Sequence, residues 1–225
     1  MPRIARGFDV AAADAHLRKA DRKLAAWMDR IGPIAADPRW KKPFDVCDAL
    51  ARAILYHQLS GKAAATITGR LETAIASTKL HADTLDRVDD AAIRACGVSG
   101  NKLLALRDLA ARAARGEVPD AKAMATMHED EIVAALVPIR GIGRWTVEMM
   151  LMFRLGRADV LPVDDLGIRK GAQRVDRRAE MQAPKALAER GERWGPYRTY
   201  ASLYLWRIAD DAQIKSLKPV KRSQS

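Results

Sequence analysis

Between Leu136 and Gly171 the chain reads LVPIRGIGRWTVEMMLMFRLGRADVLPVDDLGIRKG, with two glycines one residue apart ahead of a long apolar run. Apolar residues at helical spacing on both sides, with glycine freedom between them, demand a reversal between two helices. A dinucleotide fingerprint is excluded: it needs a preceding strand and a third glycine where this chain has Thr146. A nucleotide phosphate loop is excluded too, since no Gly-Lys-Ser/Thr follows. What remains is helix, glycine hairpin, helix. The amides of the hairpin and of the second helix's first turn then point outward at the positive end of a helix dipole, a nest for a phosphate oxygen. Arg140 and Arg144 flank it, which suits a DNA backbone better than a small buried anion.

The rest of the chain reads as helix after helix, with no convincing strand and no repeat of solenoid length. Asp9 is placed to cap a run to about Arg30, which Gly32-Pro33 ends, and DPRWKKPF is a connector. A core helix is expected over Phe44 to Leu59, and Ser60 caps the next. Asp83 and Asp89 read as caps of short helices, Gly97 closes the second, and Ser99 opens a helix with a stripe of Leu103, Leu106 and Leu109 that Gly116 stops. Glu129 to Val137 and Arg144 to Leu155 flank the hairpin, and a helix-like run follows the Asp164-Asp165 pair. The last helices are Pro184 to Arg193 and Pro196 to about Ala209, and the basic tail IKSLKPVKRSQS is expected to fray.

Composition narrows the partner. Lys and Arg number 39 against 28 Asp and Glu, a formal charge of +11, which is the footprint of a phosphate-rich partner. A membrane surface fits the charge equally well. Against it, there is no uncharged apolar stretch of about 18 residues, and MPRIARGFDV lacks a signal peptide's apolar core. The expectation is a soluble cytoplasmic or nucleoid-associated protein. Cys47 and Cys96 are too few and too far apart for zinc or an iron–sulfur cluster, a reducing compartment disfavours a disulfide, and they read as core thiols.

The pattern VPIRGIGRWTVEMMLMFRLGRADVLPVDDLGIRKG resembles the helix-hairpin-helix, Gly/Pro-rich loop and aspartate of the helix-hairpin-helix DNA glycosylase superfamily, within it the 3-methyladenine DNA glycosylase II (alkylbase) branch. The resemblance extends upstream to ILYHQLSGKAA and downstream to GPYRTYASLYLW, and several motifs in order are more specific than any one. It implies an all-α fold of two helical subdomains with an active-site cleft between them. One would be 44–155, carrying the hairpin, and the other 1–43 plus 156–225, assembled from both chain ends, without the extra N-terminal β-domain of some members.

A glycosylase breaks the bond from C1′ to a base nitrogen. An alkylated purine is already a cationic leaving group, so the enzyme has to flip the nucleotide and stabilise an oxocarbenium-like sugar. By position Asp165 matches the family's catalytic Asp, and Asp164 is left as the capping or solvated neighbour. Read alone, the Asp pair is a helix cap. In bifunctional relatives a nucleophilic Lys lies two residues past the second hairpin glycine; here that residue is Trp145, so no lyase step is expected. A cationic purine gains stacking and cation–π attraction from an electron-rich ring. Trp206 matches the family's stacking Trp, with Tyr204, Trp145 and Met149 as further pocket positions, the last where the family often has an aromatic. Gln58 matches the side chain inserted into the gap left by the flipped base, with His57 beside it. DNA contacts are expected from Gln58, His57, Arg140, Gly141, Ile142, Gly143, Arg144 and Thr146. The family's hairpin often holds a monovalent cation, Na+ or K+, and by position the carbonyls would be those of Val137, Ile139 and Ile142.

The resemblance thus implies a monomeric, monofunctional hydrolase of base excision repair that releases 3-methyladenine- or 7-methylguanine-type bases from double-stranded DNA, with no required cofactor and no iron–sulfur cluster. The alternative is a noncatalytic helix-hairpin-helix module that grips duplex DNA. An acid near a phosphate-binding hairpin costs DNA affinity unless catalysis uses it, and that favours the enzyme.

Overall fold

The computed structural model describes residues 6–211, and the tail expected to fray lies outside them. Among the described residues there is no strand, and no helix is long and apolar enough to cross a membrane. The chain divides into two compact units. One contains Arg6 and Pro38–Leu155, the other Gly7–Asp37 and the chain from Gly156 onward.

The first unit carries α3 (Val46–Tyr56), α4 (Gly61–Ala74), α5 (Ala82–Leu85), α6 (Asp90–Ala95), α7 (Gly100–Ala114), α8 (Ala121–Met124), α9 (Glu129–Leu136) and α10 (Arg144–Met150). Short polar side chains set the starts: Ser60 accepts the Ala63 N–H, Asp89 that of Ala92 and Ser99 that of Lys102, each satisfying an orphan donor of the first turn. His81, not Asp83, precedes α5, and the loop expected after Gly116 contains α8. Leu50, Leu55, Leu71, Leu85, Leu106, Leu109 and Leu136 are wholly buried at the helical spacing that the sequence shows. Cys47 and Cys96 are buried free thiols, and burial, then Asp45, pushes Cys47 up to about 12, which makes it inert.

Two local features depart from expectation. The long apolar helix after the hairpin changes to a π-helix over Leu151–Leu155, which leaves late carbonyls for other donors. The Trp40 indole N–H reaches the Met152 carbonyl at 2.8 Å and the Arg6 guanidinium reaches that of Arg154 at 2.7 Å. Trp40 lies in a short 3-10 helix, Pro38–Lys41, within the segment expected to be a connector, and Arg39 stacks on Phe153 at 4.7 Å. These contacts bind residues 38–43 to the first unit, so the boundary expected after residue 43 falls after Asp37.

The second unit carries α1 (Val10–Ala20), α2 (Arg22–Ile31), α11 (Leu166–Asp176), α12 (Pro184–Gly191) and α13 (Arg198–Asp210). The single run expected from Asp9 breaks at Asp21, whose extended backbone and carboxylate cap a new helix through the Lys23 and Leu24 N–H groups. That carboxylate also accepts the Trp194 indole N–H at 3.0 Å and pairs with Arg190 at 2.8 Å, while Arg190 pairs with Asp176 at 2.6 Å. Pro196 lies ahead of α13, which Arg198 opens. The core gathers Leu17, Leu24, Met28, Ile168, Trp194, Tyr200 and Leu205. Gly171 lets α11 lie on α13: a Cβ there would stand 2.1 Å from the Leu205 carbonyl oxygen.

Candidate functional site

The hairpin is built from Val137 to Gly143, between α9 and α10. Ile139 and Ile142 are buried and pin it, and the Ile142 N–H donates to the Ile139 carbonyl at 3.0 Å. Gly141 has φ +79°, and a Cβ there would meet the Ala105 Cβ at 3.2 Å, so glycine is required by both conformation and space. The Arg140 N–H donates to the Asp108 carboxylate at 2.8 Å, tying the turn to α7. Burial opposes ionisation of Asp108, but that N–H and the Arg112 guanidinium outweigh it and hold the carboxyl below the usual range. Sequence reasoning missed Asp108, because an Asp four residues before an Arg on a helix reads as a surface pair.

Gly143 differs from expectation. Its φ of −94° is open to any residue, and a Cβ would meet nothing within 4 Å. No side chain caps α10. Arg140, Gly143 and Arg144 are exposed, and Arg144 pairs with Glu148 at 3.2 Å.

A pocket of about 380 Å³ in the first unit brings together His57, Gln58, Trp145, Thr146 and Met149, which the sequence predicted separately, with Arg154 at its wall. Trp145 is 45% exposed and stands at the pocket wall, where the sequence expects it. Gln58 has φ +57°, a left-handed backbone that costs an L-residue about 1–2 kcal/mol. Strain of this kind concentrates where a side chain must be aimed. Neither Arg6 nor Arg154 pairs with a carboxylate among the described residues, and burial and then Arg154 lower the Arg6 pKa. This like-charge crowding leaves the first unit locally positive.

Asp165 and Trp206 meet in the second unit. Asp165, not Asp164, is the N-cap of α11: its Oδ1 accepts the Ile168 N–H at 2.9 Å. The same oxygen accepts the Trp206 indole N–H at 2.8 Å. The capping and functional readings of the Asp pair therefore fall on one residue, and Asp164 is exposed. Trp206 is half-buried on α13. Tyr204, expected among the pocket residues, is a correction: it is wholly buried, its hydroxyl donates to the Gly32 carbonyl at 3.1 Å, and its ring packs edge-on against Tyr200. Two residues along α13 from Trp206, it points to the opposite side of the helix, into the core.

A chain whose described residues are helical, with a glycine hairpin pinned between two helices and a helix-capping carboxylate bonded to an indole, is a helix-hairpin-helix protein. It belongs to the HhH-GPD superfamily of base excision DNA repair proteins, whose pattern matches residues 51–196. The chain is similar to DNA-3-methyladenine glycosylase 1 of Schizosaccharomyces pombe, 31% identical over 211 residues that cover 93% of this chain and 92% of that one. It is also similar to DNA-3-methyladenine glycosylase 2 of Escherichia coli, 28% identical over 80% of this chain and 63% of that one. Among solved structures, a DNA-3-methyladenine glycosidase from Bacillus halodurans superposes with a TM-score of 0.81 at 31% identity, covering 96% of this chain and 95% of that one. The Schizosaccharomyces pombe 3-methyladenine DNA glycosylase in complex with abasic DNA gives 0.75 at 31% identity, covering 87% and 95%.

Proposed function

We propose that this chain is a monofunctional DNA glycosylase that releases alkylated purines, of the 3-methyladenine and 7-methylguanine type, from double-stranded DNA as the first step of base excision repair. The observation that carries the reading is the Asp165 carboxylate, fixed at the start of α11 and bonded to the Trp206 indole at 2.8 Å, in a member of this superfamily.

In the reaction the bond from C1′ to the purine nitrogen breaks, and its electron pair neutralises the positive charge of the alkylated ring. Asp165 stabilises the sugar cation that is left. Water adds its oxygen to C1′ and gives up a proton, which leaves an abasic site. Trp206 supplies a π-face for the extruded base, and the cation–π component favours a charged purine. Gln58, with His57 beside it, fills the gap in the duplex, supported by its strained backbone and its place at the pocket with Trp145, Thr146 and Met149. The exposed hairpin around Arg140, Gly141, Gly143 and Arg144, held by Ile142 and Asp108, takes a backbone phosphate. With Trp145 in the place of the lyase Lys, the product strand stays intact.

The same reading seats a monovalent cation, Na+ or K+, on the carbonyls of Val137, Ile139 and Ile142. What supports it is the Ile139 oxygen, which accepts the Ile142 N–H and has a second lone pair. The ion would stiffen the turn, and the hydrolysis itself requires no cofactor. A monomer acting in the cytoplasm, at the nucleoid, suits the net charge of +11.

The test is release of free base from methylated duplex DNA, resolved by chromatography. Wild-type protein releases it, and Asp165→Asn does not, while the variant keeps or gains affinity for an abasic-site analogue. Borohydride traps no protein–DNA adduct. Near-wild-type single-turnover release by Asp165→Asn would remove Asp165 from the chemistry.

A further inference from the structure

Helix α11 opens Asp165-Leu166-Gly167, and Gly167 has neither a turn nor a positive φ to explain it. Glycine inside a helix costs about 1 kcal/mol relative to alanine, so something else must require it. A Cβ built at Gly167 would stand 2.8 Å from the Trp206 Cδ1, 3.2 Å from its Nε1 and 3.1 Å from the Asp165 Oδ1. Any side chain there would wedge the indole away from the carboxylate. Gly171 lies one helical turn further along the same face, where a Cβ would strike the Leu205 backbone next to Trp206. Two glycines on one face of α11 thus admit α13, and with it the Trp206 ring, to the helix start.

We propose that Trp206 is a positioning residue for Asp165: its indole N–H fixes the carboxylate, and Gly167 is glycine so that the ring can lie across the first turn of α11. The inference rests on Asp165 being the carboxylate of the reaction, and it adds a role to Trp206 besides stacking. Two donors, the Ile168 N–H at 2.9 Å and the Trp206 N–H at 2.8 Å, converge on one oxygen. A carboxylate held at one oxygen by two charge-assisted bonds cannot rotate without breaking both. Its other oxygen is thereby set in direction before substrate arrives, and no reorganisation is left for the moment when charge develops on the sugar. A stacking ring needs only its face. The indole N–H and the glycine beneath it are explained by the carboxylate.

The experiment uses the full chain. Trp206→Phe keeps an aromatic face for stacking and removes the donor; Gly167→Ala keeps the donor and displaces the ring. Single-turnover release of 7-methylguanine, affinity for an abasic-analogue duplex and the indole N–H resonances are measured for each. Trp206→Phe is expected to lower the release rate on the order of 10- to 100-fold, the scale of a misplaced reacting group, with analogue affinity unchanged. Gly167→Ala does the same. The Trp206 indole N–H resonance moves in Asp165→Ala, and those of the other four tryptophans do not. A wild-type release rate in Trp206→Phe, a loss confined to affinity, or an indole resonance indifferent to Asp165 overturns the inference. If Gly167→Ala fails to fold, Trp206→Phe and the resonance still decide. Failure of the wild-type chain to release base sinks the proposed function, and near-wild-type release by Asp165→Asn removes only the premise that Asp165 is the reacting carboxylate. An inactive Asp165→Asn beside a fully active Trp206→Phe sinks this inference alone.

Discussion

At the scale of single residues, the two hairpin glycines do different work. Gly141 carries the left-handed backbone and the close approach to Ala105, and Gly143 carries neither. Gly141→Ala is therefore expected to lower folding stability by about 1–2 kcal/mol from the backbone alone, measured by denaturant unfolding. Gly143→Ala changes stability by less than about 0.5 kcal/mol. Under the proposed function, in which a phosphate approaches the open side at Gly143, it weakens binding to damaged and undamaged duplex by the same factor. Equal destabilisation by the two substitutions would refute this division. The sequence marks both glycines identically, and only the dihedral angles separate them. Gln58 is a parallel case: its place beside His57 could be read from the sequence, but its positive φ could not, because no residue type announces a strained glutamine.

At the scale of elements, α11 is held by what it lacks. Its apolar spacing is visible in DLGIRKGAQRV, a helix-like run within which Gly167 and Gly171 stand one turn apart. The signal was present: glycine four residues apart on an otherwise good helix implies close approach by another backbone. Gly171→Ala is expected to cost at least about 3 kcal/mol, the upper end for overpacking, because the atom in the way is a main-chain carbonyl that no rotamer change can move. Thermal unfolding measures it, and a shift typical of an exposed alanine substitution would refute the packing argument. Hairpin placement also depends on a neighbouring element. Asp108 on α7 accepts the Arg140 N–H, a contact across 32 residues of chain that helical periodicity cannot report.

For the molecule as a whole, charge acts in two ways. The excess of basic groups suits a polyanion, and binding should weaken steeply with salt. Inside the second unit, by contrast, charges are paired and buried. Asp21, Asp176 and Arg190 are all nearly inaccessible. Burial works against both carboxylates; at Asp21 the Leu24 N–H, Arg190 and Trp194 outweigh it, and at Asp176 Arg190 and Lys23 do, so both lie below the usual range. A carboxyl depressed on folding contributes stability above its unfolded pKa of about 3.9, and that stability is lost as pH falls through the folded value. Stability should thus hold from pH 7 to about 5 and fall below about 4. Arg190→Leu leaves the buried Asp21 carboxylate without a cation and Asp176 with only the more exposed Lys23 at 3.7 Å, and should cost about 3–5 kcal/mol at pH 7. That cost shrinks as acid neutralises them. A penalty independent of pH would show that Arg190 contributes packing on Trp194 and no charge pairing.

The sequence by itself determined the helical class, most helix starts, the hairpin and the resemblance that singles out Asp165 and Trp206. Each of these is written locally: caps, glycines and apolar spacing act within a few residues, and ordered motifs survive as strings. Only the tertiary structure decided that Asp21 splits the first helix while holding Trp194, that residues 38–43 join the first unit through Trp40 and Met152, and that Tyr204 faces the core and Trp206 the carboxylate. It also decided that Asp165 both caps α11 and accepts the indole N–H from 41 residues away. The reason is common to them all. Side chains that aromatic spacing leaves equivalent are told apart by which distant backbone lies against the helix, and that is fixed by packing between segments far apart in the chain.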